Sequence, residues 1–419
     1  MEDGYMNVLV VNAGSSSLKY QLFDTAKNLV VAKGLCERIG IEGPSTVGAI
    51  THKNLLSGKE YKANLPMGNH TVAMQYVVEA LLDSEHGCVG SMAEIEAVGH
   101  RIVHGGAYFS ESMLLTDEVL AKLELCRDLA PLHTGAHIQG IEGCLKVMPN
   151  TPQVLVFDTA FHQTMAPEAY MYALPYRMYE NYGIRRYGAH GTSHRFVAAE
   201  MIKLLGGKAE GTKIVTCHIG NGSSISAVKD GKVMDTSMGF TPLAGVEMGT
   251  RCGDIDPAVV TYMMDKEGLS TSQVNNLMNK ESGFIGISGF SSDSRDLEDA
   301  ISAGPSDPNY ERAKLAVDIL KHQIKKYIGA YSAIMNGLDA VVFTAGIGEN
   351  NPHLREIVCE DMEFYGIEID KEINAKAWRQ PNIIKLSTDN SKVAVYLIPT
   401  NEELVIAKDT ETIVSAMGK

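Results

Sequence analysis

Two stretches lying 208 residues apart repeat one design, and this repeat constrains the fold more than any other feature of the chain. The first reads Val8-Leu9-Val10-Val11-Asn12-Ala13-Gly14-Ser15-Ser16-Ser17, continuing into Leu18-Lys19-Tyr20. The second reads Ile214-Val215-Thr216-Cys217-His218-Ile219-Gly220-Asn221-Gly222-Ser223-Ser224, continuing into Ile225-Ser226-Ala227. Each is β-branched and apolar, passes through an Asn/Gly/Ser turn, and becomes β-prone again, which is the pattern of a hairpin. Gly and Asn accept positive φ, and glycines leave backbone N–H groups open to a ligand. With the serine hydroxyls as further donors, such a turn is a nest for an anion, phosphate above all. One copy alone reads equally well as an ordinary hairpin. Two copies half a chain apart indicate two domains of one design, each carrying a phosphate-gripping turn.

The rest of the chain agrees with an α/β class. The spacing of Val72, Tyr76, Val77, Ala80 and Leu81 predicts a helix over 70–82. A second helix is expected over 117–128 with Thr116 as its N-cap. Apolar strands are expected at 95–103, at 154–157 and at 340–345, with helices over much of 257–336. The strand Val154-Leu155-Val156-Phe157 ends on Asp158, and ligands of α/β sheets sit beyond the carboxyl ends of strands. The competing reading of Asp158 is a helix cap. Residues 185–194 are expected to be a loop leading into a helix from Arg195 to Leu205, and 346–350 a glycine-rich turn.

Composition narrows the function. A net charge of −14 disfavours a nucleic-acid partner. No run approaches a membrane span, the N-terminus lacks an apolar signal core, and seven cysteines carry no C-x-x-C pair, so a cytoplasmic setting is expected. There is no G-x-x-x-x-G-K-[ST], no G-x-G-x-x-G after a strand and no G-x-S-x-G elbow. Three His-x-x-x-His pairs, His100/His104, His133/His137 and His190/His194, suggest a metal hydrolase, but Gly99, Gly105, Gly135, Gly188 and Gly191 argue against helices there.

The remaining polar motifs form a set suited to phosphoryl transfer. Lys19 adds a cation to the first hairpin, and Arg101 and Arg251 adjoin glycine-rich segments where a guanidinium can clamp a carboxylate or phosphate. Asn12, Asp158 and Glu402 offer oxygens suited to Mg²⁺. Gly346-Ile347-Gly348-Glu349-Asn350 lets a nucleoside approach the backbone. Together with His100-Arg101-Ile102-Val103-His104-Gly105-Gly106, Phe157-Asp158-Thr159-Ala160-Phe161-His162, His190-Gly191-Thr192-Ser193-His194, Met248-Gly249-Thr250-Arg251 and Thr400-Asn401-Glu402-Glu403, these residues closely resemble the acetate kinase family, within the sugar kinase/Hsp70/actin superfamily.

The resemblance implies two duplicated actin-like (ribonuclease H-like) α/β domains with an interdomain active-site cleft. Residues 1–158 would form the first domain, completed by a C-terminal segment of about 400–419, and 159–399 the second, which binds nucleotide and dimerises. It implies a homodimer and reversible transfer from ATP to acetate, with Mg²⁺ or Mn²⁺, giving ADP and acetyl phosphate. It implies Asp158, His190 and Arg251 as catalytic residues, with Arg101, Val103, Leu132, Ala189 and Pro242 around the substrate. Lys19, His218, Ile219, Gly220, Asn221, Gly222, Asp293, Ser294, Arg295, Gly346, Ile347, Gly348, Glu349 and Asn350 would bind ATP, and Asn12 and Glu402 the metal.

Acetate is already ionised at neutral pH, so no base is needed to make the nucleophile. Asp158 is therefore expected to orient an arginine or metal-bound water rather than accept a proton. The chain departs from the family at Ala189, where Phe is usual, and at Thr134-Gly135, where Asn-Pro is usual. The first change is expected to enlarge the acyl pocket and to admit propionate or longer acids. Ala244 and Glu247 also depart, with milder consequences expected. The alternative class is a non-catalytic nucleotide-binding protein of the actin/Hsp70 kind, which would have no use for Arg101, Arg251 and His190 together.

Overall fold

A computed structural model describes residues 6–41, 47–131 and 133–417. The chain divides into two compact units. One takes in residues up to Ala160 and again from Asn401, and the other runs Phe161–Thr400.

The first unit is built on an eight-stranded sheet. Its strands are β1 (Asn7–Gly14), β2 (Ser17–Asp24), β3 (Leu29–Glu37), β4 (Gly48–Asn54), β5 (Glu60–Leu65), β6 (Ala97–Ile102), β7 (Met113–Leu114) and β8 (Gln153–Phe157), in the order β5-β4-β3-β2-β1-β6-β8-β7. The repeated motif is the β1–β2 hairpin, with Gly14 opposite Ser17 and Asn12 opposite Lys19. β1, β6 and β8 are parallel neighbours, which brings their carboxyl ends to one edge. The helices His70–Leu82 and Thr134–Val147 pack against each other and the sheet, burying Leu9, Val11, Leu18 and Leu22 beneath Ala73, Met74, Val77 and Cys144. Asn69 caps the first of them by accepting from the Val72 N–H, and Thr116 caps the helix Asp117–Leu125 by accepting from Val119. On the other face, Ile406 and Ala407 of the helix Glu402–Met417 bury Val8, Val10, Val154 and Val156.

The second unit has six strands: β9 (Lys213–Ile219), β10 (Ser223–Lys229), β11 (Lys232–Thr236), β12 (Ala340–Thr344), β13 (Ile384–Lys385) and β14 (Ala394–Leu397), ordered β11-β10-β9-β12-β14-β13. Here β9, β12 and β14 are parallel, and the β9–β10 hairpin occupies the place of β1–β2. The long helix Tyr310–Met335 covers one face through Ala313, Ala316, Leu320, Ile324 and Ile328. The helix Gly191–Leu204 covers the other through Val197, Ala198 and Met201.

Three expectations need correction. The helix that follows the 185–190 segment begins at Gly191, not Arg195, because the left-handed backbone of His190 (φ +59°) already turns the chain into it. The segment 346–350 is a short helix, Ala345–Asn350, rather than a turn. The glycines of 134–147 do not break a helix. They admit close packing: a Cβ on Gly140 would lie 2.6 Å from that of Ala13, and one on Gly143 3.1 Å from the His70 carbonyl oxygen.

Candidate functional site

In the first unit, Arg101 lies near the carboxyl end of β6 and Asp158 immediately after β8, so the parallel pairing of Ile102 with Phe157 sets them side by side. The Asp158 N–H donates to the Ile102 carbonyl, and its Oδ2 accepts from Arg101 Nη2 at 2.7 Å. Glu402 opens the last helix, with Oε2 3.7 Å from Arg101 Nε. The Asp158 carboxylate is the main reason the guanidinium is held protonated beyond its ordinary range. Burial, and then the charge of Asp158, push the Glu402 carboxyl up to about 7. The neighbourhood thus holds Asp158, Glu402 and Glu403 around one arginine, an excess of carboxylate.

Among the described residues no group of three His, Cys, Asp or Glu side chains could hold a metal ion by itself. A carboxylate-rich site with few protein ligands still fits a hard divalent cation that keeps its waters and binds substrate phosphates. Asn12 and Lys19, paired across the hairpin, line a hollow of about 520 Å³ together with Glu403. Val103 is held through its backbone, its N–H donating to His137 Nε2 at 3.2 Å. Leu132 lies outside the described residues.

The histidine pairs find ordinary partners. His100 bonds Gln153 Oε1 at 2.7 Å, His104 Nδ1 accepts from the Gly106 N–H, and burial pushes His137 down to about 3, leaving it a neutral acceptor. His133 precedes the helix that carries His137, so the pair does stand at a helix start, where glycine is tolerated.

In the second unit, the turn Gly220–Gly222 joins β9 to β10, and Ser223 Oγ donates back to the Gly220 carbonyl at 3.0 Å. The His190 and His218 rings stack with centroids 4.0 Å apart. Arg251 is fixed at one end, its Nη1 donating to the Pro242 carbonyl at 2.7 Å. A Cβ on Gly222 would sit 3.0 Å from Arg251 Nη2 and 3.5 Å from His190 Nε2. Two nitrogen-bearing groups therefore converge over the glycine turn, and only glycine leaves that space open. Burial lowers the Arg251 pKa, yet a guanidinium stays cationic throughout the neutral range.

Three separate sequence motifs meet in one pocket of about 350 Å³, lined by Gly220, Asn221, Asp293, Ser294, Arg295, Gly346, Ile347 and Asn350. Asp293 also caps the helix Ser294–Ala303 and pairs with the Arg295 side chain. Other expected nucleotide residues are placed differently. Ile219 belongs to the core, and Gly348 accepts through its carbonyl from the buried Arg355. Glu349 Oε1 accepts from the Ala345 and Thr400 N–H groups, tying β12's exit to the segment after β14.

Sequence reasoning missed Glu298, Asn351 and Arg379, which line the same pocket. Ser224, expected as a donor of the turn, and His194, expected as half of a histidine pair, hydrogen-bond to one another behind His190.

Two departures from the family pattern have structural consequences. Ala189 is 5% exposed and clusters with the fully buried Met238 and Met248. Glu247 is not mild: it is buried, neither carboxyl oxygen has a hydrogen-bond partner among the described residues, and burial pushes its pKa up to about 8.

Two sheets of one topology, each with a hairpin turn beside parallel strand ends, together with a nucleoside-sized pocket, define a phosphotransferase of the duplicated actin-like fold. Comparison with known proteins agrees. Residues 7–408 match the Acetokinase family. The acetate kinase of Caldanaerobacter subterraneus subsp. tengcongensis is 54% identical over 98% of this chain and 100% of its own length. The crystal structure of Porphyromonas gingivalis acetate kinase superposes with a TM-score of 0.92 at 47% identity, covering 98% of this chain and 100% of that one. A propionate kinase from Francisella tularensis superposes at 0.87 with 38% identity, covering 97% and 99%. The chain belongs to the acetokinase family.

Proposed function

We propose that this protein transfers the γ-phosphoryl group of ATP directly to the carboxylate of acetate, giving acetyl phosphate and ADP, through the residues described above. The observation that carries the reading is the convergence of Arg251 and His190 over the Gly222 turn, where a transferring phosphoryl would find donors. The nucleotide's base and ribose occupy the pocket bordered by Asp293–Arg295 and Gly346–Asn350, and Lys19 and the 218–222 turn hold its phosphates. Arg101 receives the acyl carboxylate, with Val103, Ala189 and Pro242 around the methyl group. Asn12 and Glu402 hold the divalent cation, Mg²⁺ or Mn²⁺, which neutralises phosphate charge when bound.

The chemistry asks for charge and alignment rather than for a base. A carboxylate must approach an anionic γ-phosphate, and the nucleophile is already deprotonated at neutral pH. Asp158 accordingly acts as the partner that aims Arg101, which its 2.7 Å hydrogen bond supports. Acetate is the favoured acceptor, which the burial of Ala189 against Met238 and Met248 supports.

The protein works in the cytoplasm as a homodimer, without nucleic acid or membrane as partner. No helix among the described residues is long and apolar enough to cross a membrane. Support for the dimer comes from the helix Pro257–Glu267, which buries none of its residues while Val259 and Tyr262 stand exposed.

The test is a survey of initial rates with acetate, propionate and butyrate, each with ATP, GTP and pyrophosphate as donor. Highest kcat/KM with ATP and acetate is expected. No transfer to any short carboxylate would refute the reading.

A further inference from the structure

Behind His190 runs a chain of short hydrogen bonds into the core of the second unit. His190 Nδ1 lies 2.9 Å from Ser224 Oγ, Ser224 Oγ lies 2.7 Å from His194 Nε2, and His194 Nδ1 lies 2.7 Å from Thr216 Oγ1. Ser224, His194 and Thr216 are fully buried. Complete burial, with His162 and His218 nearby, holds His194 well below the ordinary histidine range, so it is neutral and carries one N–H.

Each hydroxyl also carries one proton, and with the Ser224 proton placed in one of these contacts the chain has two polarities. In one, His190 Nδ1–H donates to Ser224, Ser224 to His194 Nε2, and His194 Nδ1–H to Thr216. The Thr216 proton must then go to the Ser226 carbonyl at 3.5 Å, which is beyond a well-made hydrogen bond. In the other, Thr216 donates to His194 Nδ1, His194 Nε2–H donates to Ser224, and Ser224 donates to His190 Nδ1. The Thr216, His194 and Ser224 protons then all sit in contacts of 2.9 Å or less, and the His190 proton is on Nε2.

We propose that His194, acting through Ser224, fixes the tautomer of His190 with its proton on Nε2. The tautomer of an imidazole is set by the bond its other nitrogen makes. Nε2 is the nitrogen that stands with Arg251 Nη2 over Gly222. With its proton on Nε2, the ring carries an N–H donor on the side of the Gly222 turn. His194, Ser224 and Thr216 are positioning residues. That consequence for catalysis rests on the phosphotransfer reading above; the tautomer itself does not.

The test is ¹⁵N NMR of the full-length protein labelled at histidine, with the His190 signals identified by their loss in His190→Gln. At pH 7.5 the wild type should show a protonated Nε2 and a pyridine-like Nδ1. In Ser224→Ala the Nδ1 shift should move toward a tautomer mixture, while kcat falls about 10-fold or more and both KM values stay within about twofold. His194→Gln, whose amide can donate from the Nε2 position, should keep more activity than His194→Asn, whose amide reaches only Thr216. A protonated Nδ1 in the wild type, or a spectrum unchanged in Ser224→Ala, would overturn the inference. The wild-type spectrum decides even if a variant fails to fold. A protonated Nε2 in a protein that transfers no phosphoryl group would sustain the tautomer and refute the function instead.

Discussion

The two units share one strand plan, with an antiparallel hairpin beside three parallel strands, yet they carry opposite chemistry. The first gathers ions: Arg101 is gripped by Asp158 and flanked by Glu402, with Glu403 adding to the negative charge. The second gathers hydrogen-bond donors: a glycine turn, an arginine whose Nη1 donates to a carbonyl, and histidines linked through hydroxyls. The hairpins differ in the same sense. Asn12 stands opposite Lys19 in the first, whereas Gly220-Asn221-Gly222 in the second is stripped to backbone. Duplication supplied two equivalent strand-end frames, and in the proposed function the residues set at those ends divide the work. One end suits a cation and a carboxylate, the other a phosphoryl group in transit.

That contrast can be broken in several ways. The largest effect should follow metal removal. Chelation of divalent cations should take phosphotransfer to background and restore it on adding Mg²⁺, since the carboxylates of the first unit need a cation before a polyphosphate can approach. Activity persisting in chelator would leave the acidic side of the comparison without a purpose.

Removing Arg101 comes next. Arg101→Ala removes the guanidinium that pairs with Asp158, which is 1% exposed, and that faces Glu402. Breaking a buried ion pair from one side costs about 3–5 kcal/mol. Chemical denaturation should show a loss of that order, and Arg101→Ala combined with Asp158→Asn should recover part of it without recovering acetate binding. No stability change in the single variant would mean that the pair is solvated.

In the second unit, Glu247 gives a pH signature. Its folded pKa of about 8 lies above the unfolded value, so the folded state holds the extra proton between roughly pH 4.5 and 8. The sign follows: stability is full below that window and declines as pH rises through it, by at most about 1.4 kcal/mol per pH unit. Glu247→Gln should flatten the decline in denaturation midpoints measured from pH 5 to 9. Equal slopes for the two proteins would show that the carboxyl finds a partner.

The smallest effect is expected at Ala189. Overpacking a filled site costs about 1–3 kcal/mol, so Ala189→Phe should lower the melting temperature by pressing on Met238 and Met248. The ratio of kcat/KM for propionate to that for acetate should stay nearly level. A strong shift toward acetate would restore the enlarged-pocket reading.

How much of this was legible in the sequence depended on whether the signal was local. The helix His70–Leu82 announced itself through its apolar spacing, and the helix Asp117–Leu125 through its Thr116 cap, because both features act within one turn. The early start at Gly191 and the helix Ala345–Asn350 were obscured by glycines, which read as breakers. There the left-handed residues His190 and Ala345 make the strained entry themselves. Gly140 and Gly143 are explained only by Ala13 and His70, residues far away in sequence. The polar motifs of the site could be read because hydroxyls, glycines and arginines serve one chemistry. Arg379 gave no signal, since its place in the pocket comes from the fold around Asn350, whose Oδ1 accepts from its N–H. Glu247 looked harmless because burial cannot be read from one residue in a loop.

The division of labour itself is tested most directly by a full initial-rate matrix in acetate and ATP for the wild type, Arg101→Ala and Arg251→Ala. Arg101→Ala should raise KM for acetate far more than KM for ATP. Arg251→Ala should chiefly cut kcat, by roughly 10²-fold or more, the scale of losing a preorganised donor to developing charge. The reverse assignment, or two variants with near-wild-type kinetics, would contradict the account.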